Sequence, residues 1–330
     1  MPAGQSPHPR QPGTTPCRAS TNQRKASMKL RLLRSTLVVV ALTGVLAGTA
    51  SPAAAIVGGR TATPHHGVVS VQILHPGLGT ALCGGELVHR RWVRTAAHCV
   101  SVQDVAPTPV AVPGGNVTVR VGSLDRTTGG KVVTGKRVFL HPQWRWGVNY
   151  PAEPVSDYAL IELARPVRAD LLPTALRQAP VGGGVRAVGW GLTEFPPGPG
   201  VTPPARLHQR DITRLPDAAC DGGFIGRGEI CVSTGPCFGD SGSPLLRKAP
   251  GHRVGAGPAW VSVGTASRET SADDPCGKPT VYTDASYPRH RVWTFDTIRT
   301  VKVQPPVRVP RTLTATTAEL TDRLKIDFTQ

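Results

Sequence analysis

The chain has 330 residues, 39% hydrophobic and 18% charged, with a formal net charge of +17. That length supports a large core in one or two domains, and the composition is that of a folded globular protein. With 37 glycines and 33 prolines, it favours many turns and short strands over long helices.

In chain order, the first segment reads as a leader. Met28 to Arg34 is basic, Leu37 to Ala47 is apolar, and Ala53-Ala54-Ala55 offers the small residues that signal peptidase needs. The apolar run is roughly half of the ~20 residues that a membrane span requires, so export is expected, with no stable membrane anchor after processing. Methionine occurs only at positions 1 and 28, which places the expected translation start at Met28. Residues 1–55 are expected to be leader, with a signal peptide from about Met28 and the residues upstream of it not translated.

From Ile56 onward, short β-like runs alternate with turn residues. Val68–Leu74, Val117–Val121, Lys131–Leu140, Val185–Val188, Trp260–Val263 and Thr280–Thr283 are the clearest. Strands at this spacing without intervening amphipathic helices predict all-β barrels or a sandwich. Ala106–Pro109, Pro113–Gly115 and the Pro-dense Glu194–Pro204 read as loops, because proline donates no ladder hydrogen bond. The pattern turns helical near Tyr287–Ile298. Residues 301–330 form an extension, with a short helix expected at Thr316–Ile326 and no role assigned.

Removing the leader removes Cys17 and leaves six cysteines, an even set suited to an oxidising compartment. It also removes seven Lys/Arg and no acid, so the net charge falls to +10. No lysine/arginine run or aromatic-interleaved basic patch stands out, so the excess reads as general surface charge rather than a nucleic-acid site. No Cys-x-x-Cys or His-x-x-x-His spacing and no EF-hand pattern is present, so neither metal nor cofactor is expected.

Three distant segments each offer one member of a nucleophile–base–orienter set. Thr95-Ala-Ala-His-Cys99 supplies His98, Ser156-Asp-Tyr-Ala supplies Asp157 at the head of an apolar strand, and Gly239-Asp-Ser-Gly-Ser-Pro244 supplies Ser241 in a glycine-flanked turn. Each has a bland explanation: a structural histidine, a capping aspartate, a turn serine. Their joint occurrence, in that order, in a β-rich chain with paired cysteines is what carries weight.

These segments, with Ile56-Val-Gly-Gly59, Cys83-Gly-Gly, Val188-Gly-Trp-Gly191, Trp260–Gly264 and Val281-Tyr-Thr283, resemble the chymotrypsin/trypsin family of serine peptidases. The resemblance runs from Ile56 to the helix around Trp293. It implies two antiparallel six-stranded β-barrels with the active site in the cleft between them, plus a C-terminal helix, over residues 56–300. It implies a secreted, extracellular endopeptidase with His98, Asp157 and Ser241 as triad and the N–H groups of Gly239 and Ser241 as oxyanion hole. It implies an activation pair, the freed amine of Ile56 beside Asp240. Cleavage after Ala55 by signal peptidase would suffice for this; cleavage after Ala50 would leave a five-residue pro-peptide. Disulfides Cys83–Cys99, Cys220–Cys231 and Cys237–Cys276 come from the same resemblance, as does Ser262 beside the triad aspartate. Partners would be protein or peptide substrates and proteinaceous inhibitors. The Ala/Arg/Gly/Pro-rich composition fits a bacterium with GC-rich DNA, so a bacterial-type member is expected.

The specificity pocket departs from trypsin. Gly235 stands where trypsin has an aspartate at the pocket base, which argues against Arg/Lys cleavage. Gly264 is expected in the pocket wall, and Thr280 replaces a usual glycine, so small or medium apolar P1 side chains are expected. Glu269, Asp273 and Asp274 in the long segment Thr265–Pro275 keep a basic P1 preference open. Glu86, where the family often has serine, reads as harmless. The competing classes are a non-catalytic binding protein on a peptidase scaffold, which would usually have lost a triad residue, and an esterase, which would more often carry Gly-x-Ser-x-Gly with histidine last.

Overall fold

The computed structural model describes residues 56–77, 79–102, 109–145, 156–249, 251 and 259–303. The leader, most of the loop near Ala106 and the extension after 303 lie outside the described residues. Among the described residues no helix is long and apolar enough to cross a membrane.

The chain opens with a two-residue strand, β1 (Arg60–Thr61), and then builds its first lobe. Strands β2 (Val68–His75), β3 (Gly79–His89) and β4 (Trp92–Thr95) form a meander. A small β5–β6 ribbon (Ser101–Val102, Val110–Ala111) follows, then β7 (Val117–Val121), β8 (Lys131–Leu140) and β9 (Ala159–Leu163). Apart from the ribbon, the strands from β2 to β9 close into an antiparallel six-stranded barrel in the order β2-β3-β4-β9-β8-β7. The period-2 rule explains the sequence: Val117, Val119 and Val121 are buried, and Thr118 and Arg120 between them are partly exposed. Val69, Val71, Ile73, Leu87 and Ile161 fill the interior. Each such side chain contributes roughly 1.5–3 kcal/mol by leaving water.

The second lobe differs from the expected closed barrel. Strands β10 (Gly184–Gly189), β11 (His208–Thr213), β12 (Glu229–Val232), β13 (Pro244–Lys248), β14 (Trp260–Glu269) and β15 (Thr280–Asp284) are present. With β1 they make a seven-stranded sheet, β1-β11-β10-β13-β14-β15-β12. The free edge of β11 is taken by β1 at Gln209 and His208. A single bridge, Arg214 to Val232, reaches β12 from just beyond the other end. With β12 only four residues long, no ladder closes the ring. Val185, Ala187, Ile230, Leu245, Val263 and Tyr282 form its core, joined by a fully buried Ile56. Helix α1 (Pro288–Val303) ends the described chain.

Three disulfides join Cys83 to Cys99, Cys220 to Cys231 and Cys237 to Cys276, the pairs the resemblance implies. A bridge of this loop size typically stabilises a fold by about 2–4 kcal/mol.

Candidate active site

His98 opens a short 3-10 turn (His98–Val100) directly after β4, and the Cys83–Cys99 bridge ties that turn to β3. Asp157 precedes β9 and is buried. Its carboxylate engages the histidine twice: the backbone N–H of His98 donates to Oδ1 at 2.9 Å, and Nδ1 donates to Oδ2 at 2.7 Å. This makes Nδ1 the protonated nitrogen of the neutral ring and Nε2 the basic one, with the Cys99 sulfur 3.7 Å from it. Burial alone would raise the Asp157 carboxyl, but the charge and hydrogen bonds of His98 outweigh it and hold the group below the ordinary carboxylate value. Burial likewise opposes a charged His98. The charge and hydrogen bond of Asp157 prevail, with a smaller push from Glu269, and raise the imidazole above its ordinary value.

Ser241 lies half-buried in a pocket in the second lobe. Two glycines shape its turn: Gly239 has φ +94° and Gly242 φ +76°, and a Cβ on Gly242 would meet Thr95 Oγ1 at 2.2 Å. Gly84 explains the Cys-Gly-Gly motif, because its N–H donates to the Ser241 carbonyl at 2.8 Å and a Cβ there would collide with Ser243. The backbone N–H groups of Asp240, Gly242 and Ser243 bond to Cys237, Ala266 and Asp240 carbonyls. Among the described residues, those of Gly239 and Ser241 have no such partner. No hydrogen bond there joins Ser241 Oγ to His98 Nε2.

Asp240 is buried, and its carboxylate accepts the N–H groups of Gly191 at 2.8 Å and Cys237 at 2.9 Å. No cation pairs with it among the described residues. Burial pushes this carboxyl up to about 7, against those two hydrogen bonds. Ile56 is fully buried in the core of the second lobe. Val57 N–H donates to the Gly235 carbonyl at 2.9 Å, and a Cβ on Gly235 would touch Ile56 Cγ2 at 3.3 Å.

Three expected positions need correction. Ser262 is not beside the triad aspartate. Its hydroxyl donates to Glu86 Oε1 at 3.1 Å and accepts from Arg94 at 3.0 Å. The residue beside Asp157 is Ser267, whose Oγ donates to Oδ2 at 2.7 Å. The reason is a bulge: Ala266 pairs with Tyr282 and Arg268 with Val281, leaving Ser267 as the extra residue whose side chain is re-aimed. Gly264 is buried in the sheet opposite Leu245 and Asp284 and does not line the pocket. Gly235 packs against Ile56 and Arg210 and is not among the residues that line the pocket.

The pocket is bounded by Pro236, Phe238, Ser241, Arg268, Glu269 and Thr280, among others. Thr280 is buried and pairs with Glu269 across β15 and β14. Of the three acids proposed to reach the cleft, only Glu269 lines the pocket. Asp273 is exposed, and Asp274 accepts the Gly277 N–H at 3.0 Å. Two lining residues escape a sequence reading. Arg268 is neutralised by Glu229, at 2.6 and 2.8 Å, and anchored on the Gly223 and Phe224 carbonyls. Phe238 is exposed and packs on Phe195, ring centroids 5.4 Å apart. Neither residue type carries a signal in sequence, since a pocket wall is made by return of the chain.

Glu86 is not a bystander. It is fully buried and pairs with Arg94 at 2.5 Å, and Arg94 also donates to Tyr158 Oη at 3.0 Å and Thr174 Oγ1 at 2.9 Å. Cys83, His98 and Cys99 bring potential ligand atoms within 4.8 Å. Both sulfurs are consumed in a disulfide, so the cluster lacks the thiolates a metal would need.

A closed antiparallel barrel beside a second antiparallel sheet, with a His–Asp pair whose carboxylate is buried and a glycine-flanked serine turn, defines the chymotrypsin-like class. The chain belongs to the trypsin-like S1 serine protease family, since the Trypsin family model matches residues 56–291. Human granzyme M is 30% identical over 228 residues, covering 64% of this chain and 80% of granzyme M. Mouse serine protease 28 is 26% identical over 215 residues, covering 57% of this chain and 68% of that protein. The crystal structure of the scabies mite inactivated protease paralogue S-D1 matches with a TM-score of 0.57 and 23% identity, over 76% of this chain and 100% of that one. That last likeness concerns the fold alone. All three relatives are animal proteins, so they lend no support to a bacterial type.

Proposed function

We propose that the chain is a secreted serine endopeptidase using Ser241 as nucleophile, His98 as general base and acid, and Asp157 as orienter. The observation that carries this reading is the two-point grip of Asp157 on His98, which leaves Nε2 as the basic nitrogen. Ser241 attacks the scissile carbonyl as its proton passes to His98, giving a tetrahedral intermediate whose oxyanion is held by the unpartnered N–H groups of Gly239 and Ser241. His98 then protonates the leaving amine, and water hydrolyses the acyl-enzyme by the same steps. The uncompensated Asp240 carboxylate supports activation by a freed Ile56 amine, and three disulfides suit an oxidising, extracellular setting.

Thr280, buried in the pocket wall, favours small or medium apolar P1 residues. A second reading, basic P1 preference, is favoured by Glu269 in the pocket wall without an ion pair among the described residues. Protein expressed from Met28 and profiled on a peptide library varied at P1, beside Ser241→Ala, separates these. Cleavage after Ala, Val or Leu that is lost in the variant supports the first, and cleavage after Arg or Lys the second. A folded, correctly processed protein with no cleavage, and no labelling by an active-site phosphonate, would leave a non-catalytic binder.

A further inference from the structure

Asp157 is flanked by two residues that one side chain of the C-terminal helix grips. His290 is buried in α1, and its Nδ1 lies 2.7 Å from the Asp284 carbonyl. A carbonyl only accepts, so Nδ1 carries the proton and neutral Nε2 is an acceptor. Nε2 lies 3.2 Å from Ser156 Oγ, which therefore donates. On the other side of Asp157, the Tyr158 ring stacks on His290, centroids 4.9 Å apart and planes within 18°.

Ser156 needs such a grip. It is a non-glycine residue at φ +45°, a left-handed conformation that persists only where the surroundings impose it. Tyr158 is fixed further by Arg94 and, at 3.4 Å, by Thr294 of the same helix. Thr283 donates to the Asp157 carbonyl at 3.0 Å. The backbone of a first-lobe residue is thus held by side chains of the second lobe.

We propose that His290 is a positioning residue for the triad carboxylate, clamping Ser156 and Tyr158 so that Asp157 keeps both hydrogen bonds to His98. The proposal rests on the peptidase reading above for its kinetic consequence, but not for its geometric one. Burial, the largest influence, lowers the His290 pKa, which agrees with the neutral tautomer the hydrogen bonds require.

The test uses the secreted, processed protein with His290→Phe, which keeps the stacked ring and removes both hydrogen bonds. Ser156→Ala, the double variant and His290→Gln, which restores an acceptor, complete the set. Two readouts apply: kcat and KM, and the His98 pKa from NMR titration. Losing one buried hydrogen bond is worth about 5- to 10-fold. Expected are falls of about that size in kcat for each single variant, with KM little changed, and a drop in the His98 pKa. The double variant should be no worse than His290→Phe, and His290→Gln should recover part of the loss. Additive losses, or an unchanged kcat and His98 pKa in folded His290→Phe, would overturn the proposal. If His290→Phe does not fold, Ser156→Ala decides by the same criteria. An inactive wild type would count against the peptidase reading, and the His98 titration would then decide the clamp by itself.

Discussion

Ser267 Oγ and His98 Nδ1 both meet the same carboxylate oxygen, Asp157 Oδ2, each at 2.7 Å. One donor comes from the second lobe and the other from the first, so the charge of the buried aspartate is shared across the lobe boundary. Ser267→Ala removes a hydrogen bond to a charged group, worth about 1.5–3 kcal/mol. On the peptidase reading kcat should fall by about 10- to 100-fold with little change in KM. Ser262→Ala should leave kcat nearly intact and lower thermal stability instead, because its hydroxyl serves the Glu86–Arg94 pair. Steady-state kinetics and melting curves on the two variants separate these effects.

The pH dependence follows from the same pair. The base must be neutral, and His98 is held above its ordinary value, so kcat/KM should rise with pH through a midpoint above about 6.5. Asp157→Asn removes the main cause and should move the His98 titration down. For stability the signs are opposite in the two partners. The His98 share is complete below its unfolded pKa and is lost as pH rises through the raised folded value. The Asp157 share is present above its unfolded value and is lost as pH falls through the depressed folded one. The pair therefore stabilises most between about pH 4 and 6.5, which unfolding at several pH values would register.

Asp240 gives a prediction for the chain in which Ile56 is still internal. A carboxyl raised to about 7 binds a proton in the fold that the unfolded chain has already released, so stability falls as pH rises from about 4 to about 7. The full effect is about 4 kcal/mol. Asp240→Asn should flatten this dependence in uncleaved protein, as thermal melts at pH 5 and pH 8 would show.

The buried ion pair predicts an asymmetry. Glu86→Ala leaves the Arg94 guanidinium buried without its carboxylate and should destabilise by about 3–5 kcal/mol. The double change Glu86→Leu with Arg94→Leu should cost much less, since it removes both charges and keeps the site filled. Denaturant unfolding of both variants measures the difference.

Thr280→Gly should widen the pocket and shift cleavage toward larger P1 side chains, read on the same library as the wild type. Unchanged preference would place the determinant elsewhere, with Glu269 and Phe238 next to examine.

Sequence patterning located most elements. The buried Val117, Val119 and Val121 alternation became a strand because a period of two buries one face of an antiparallel sheet, and the run at Thr280–Thr283 became one buried on both faces. The three chemical segments were legible because each needs a particular residue type in a local frame: glycines at positive φ around Ser241, a disulfide beside His98, an aspartate heading a buried strand. By itself, then, the sequence determined local conformation and the identity of the groups that could react. What faces what was decided only in three dimensions. Ser262 and Ser267 share one strand and are equally eligible by type; a bulge aims Ser267 at Asp157 and leaves Ser262 with Glu86. The fate of Glu86, the wall made by Arg268 and Glu269, and the grip of His290 on Ser156 all join residues far apart in the chain. Such contacts depend on register and lobe packing, which a one-residue shift would reverse, and no local pattern encodes them.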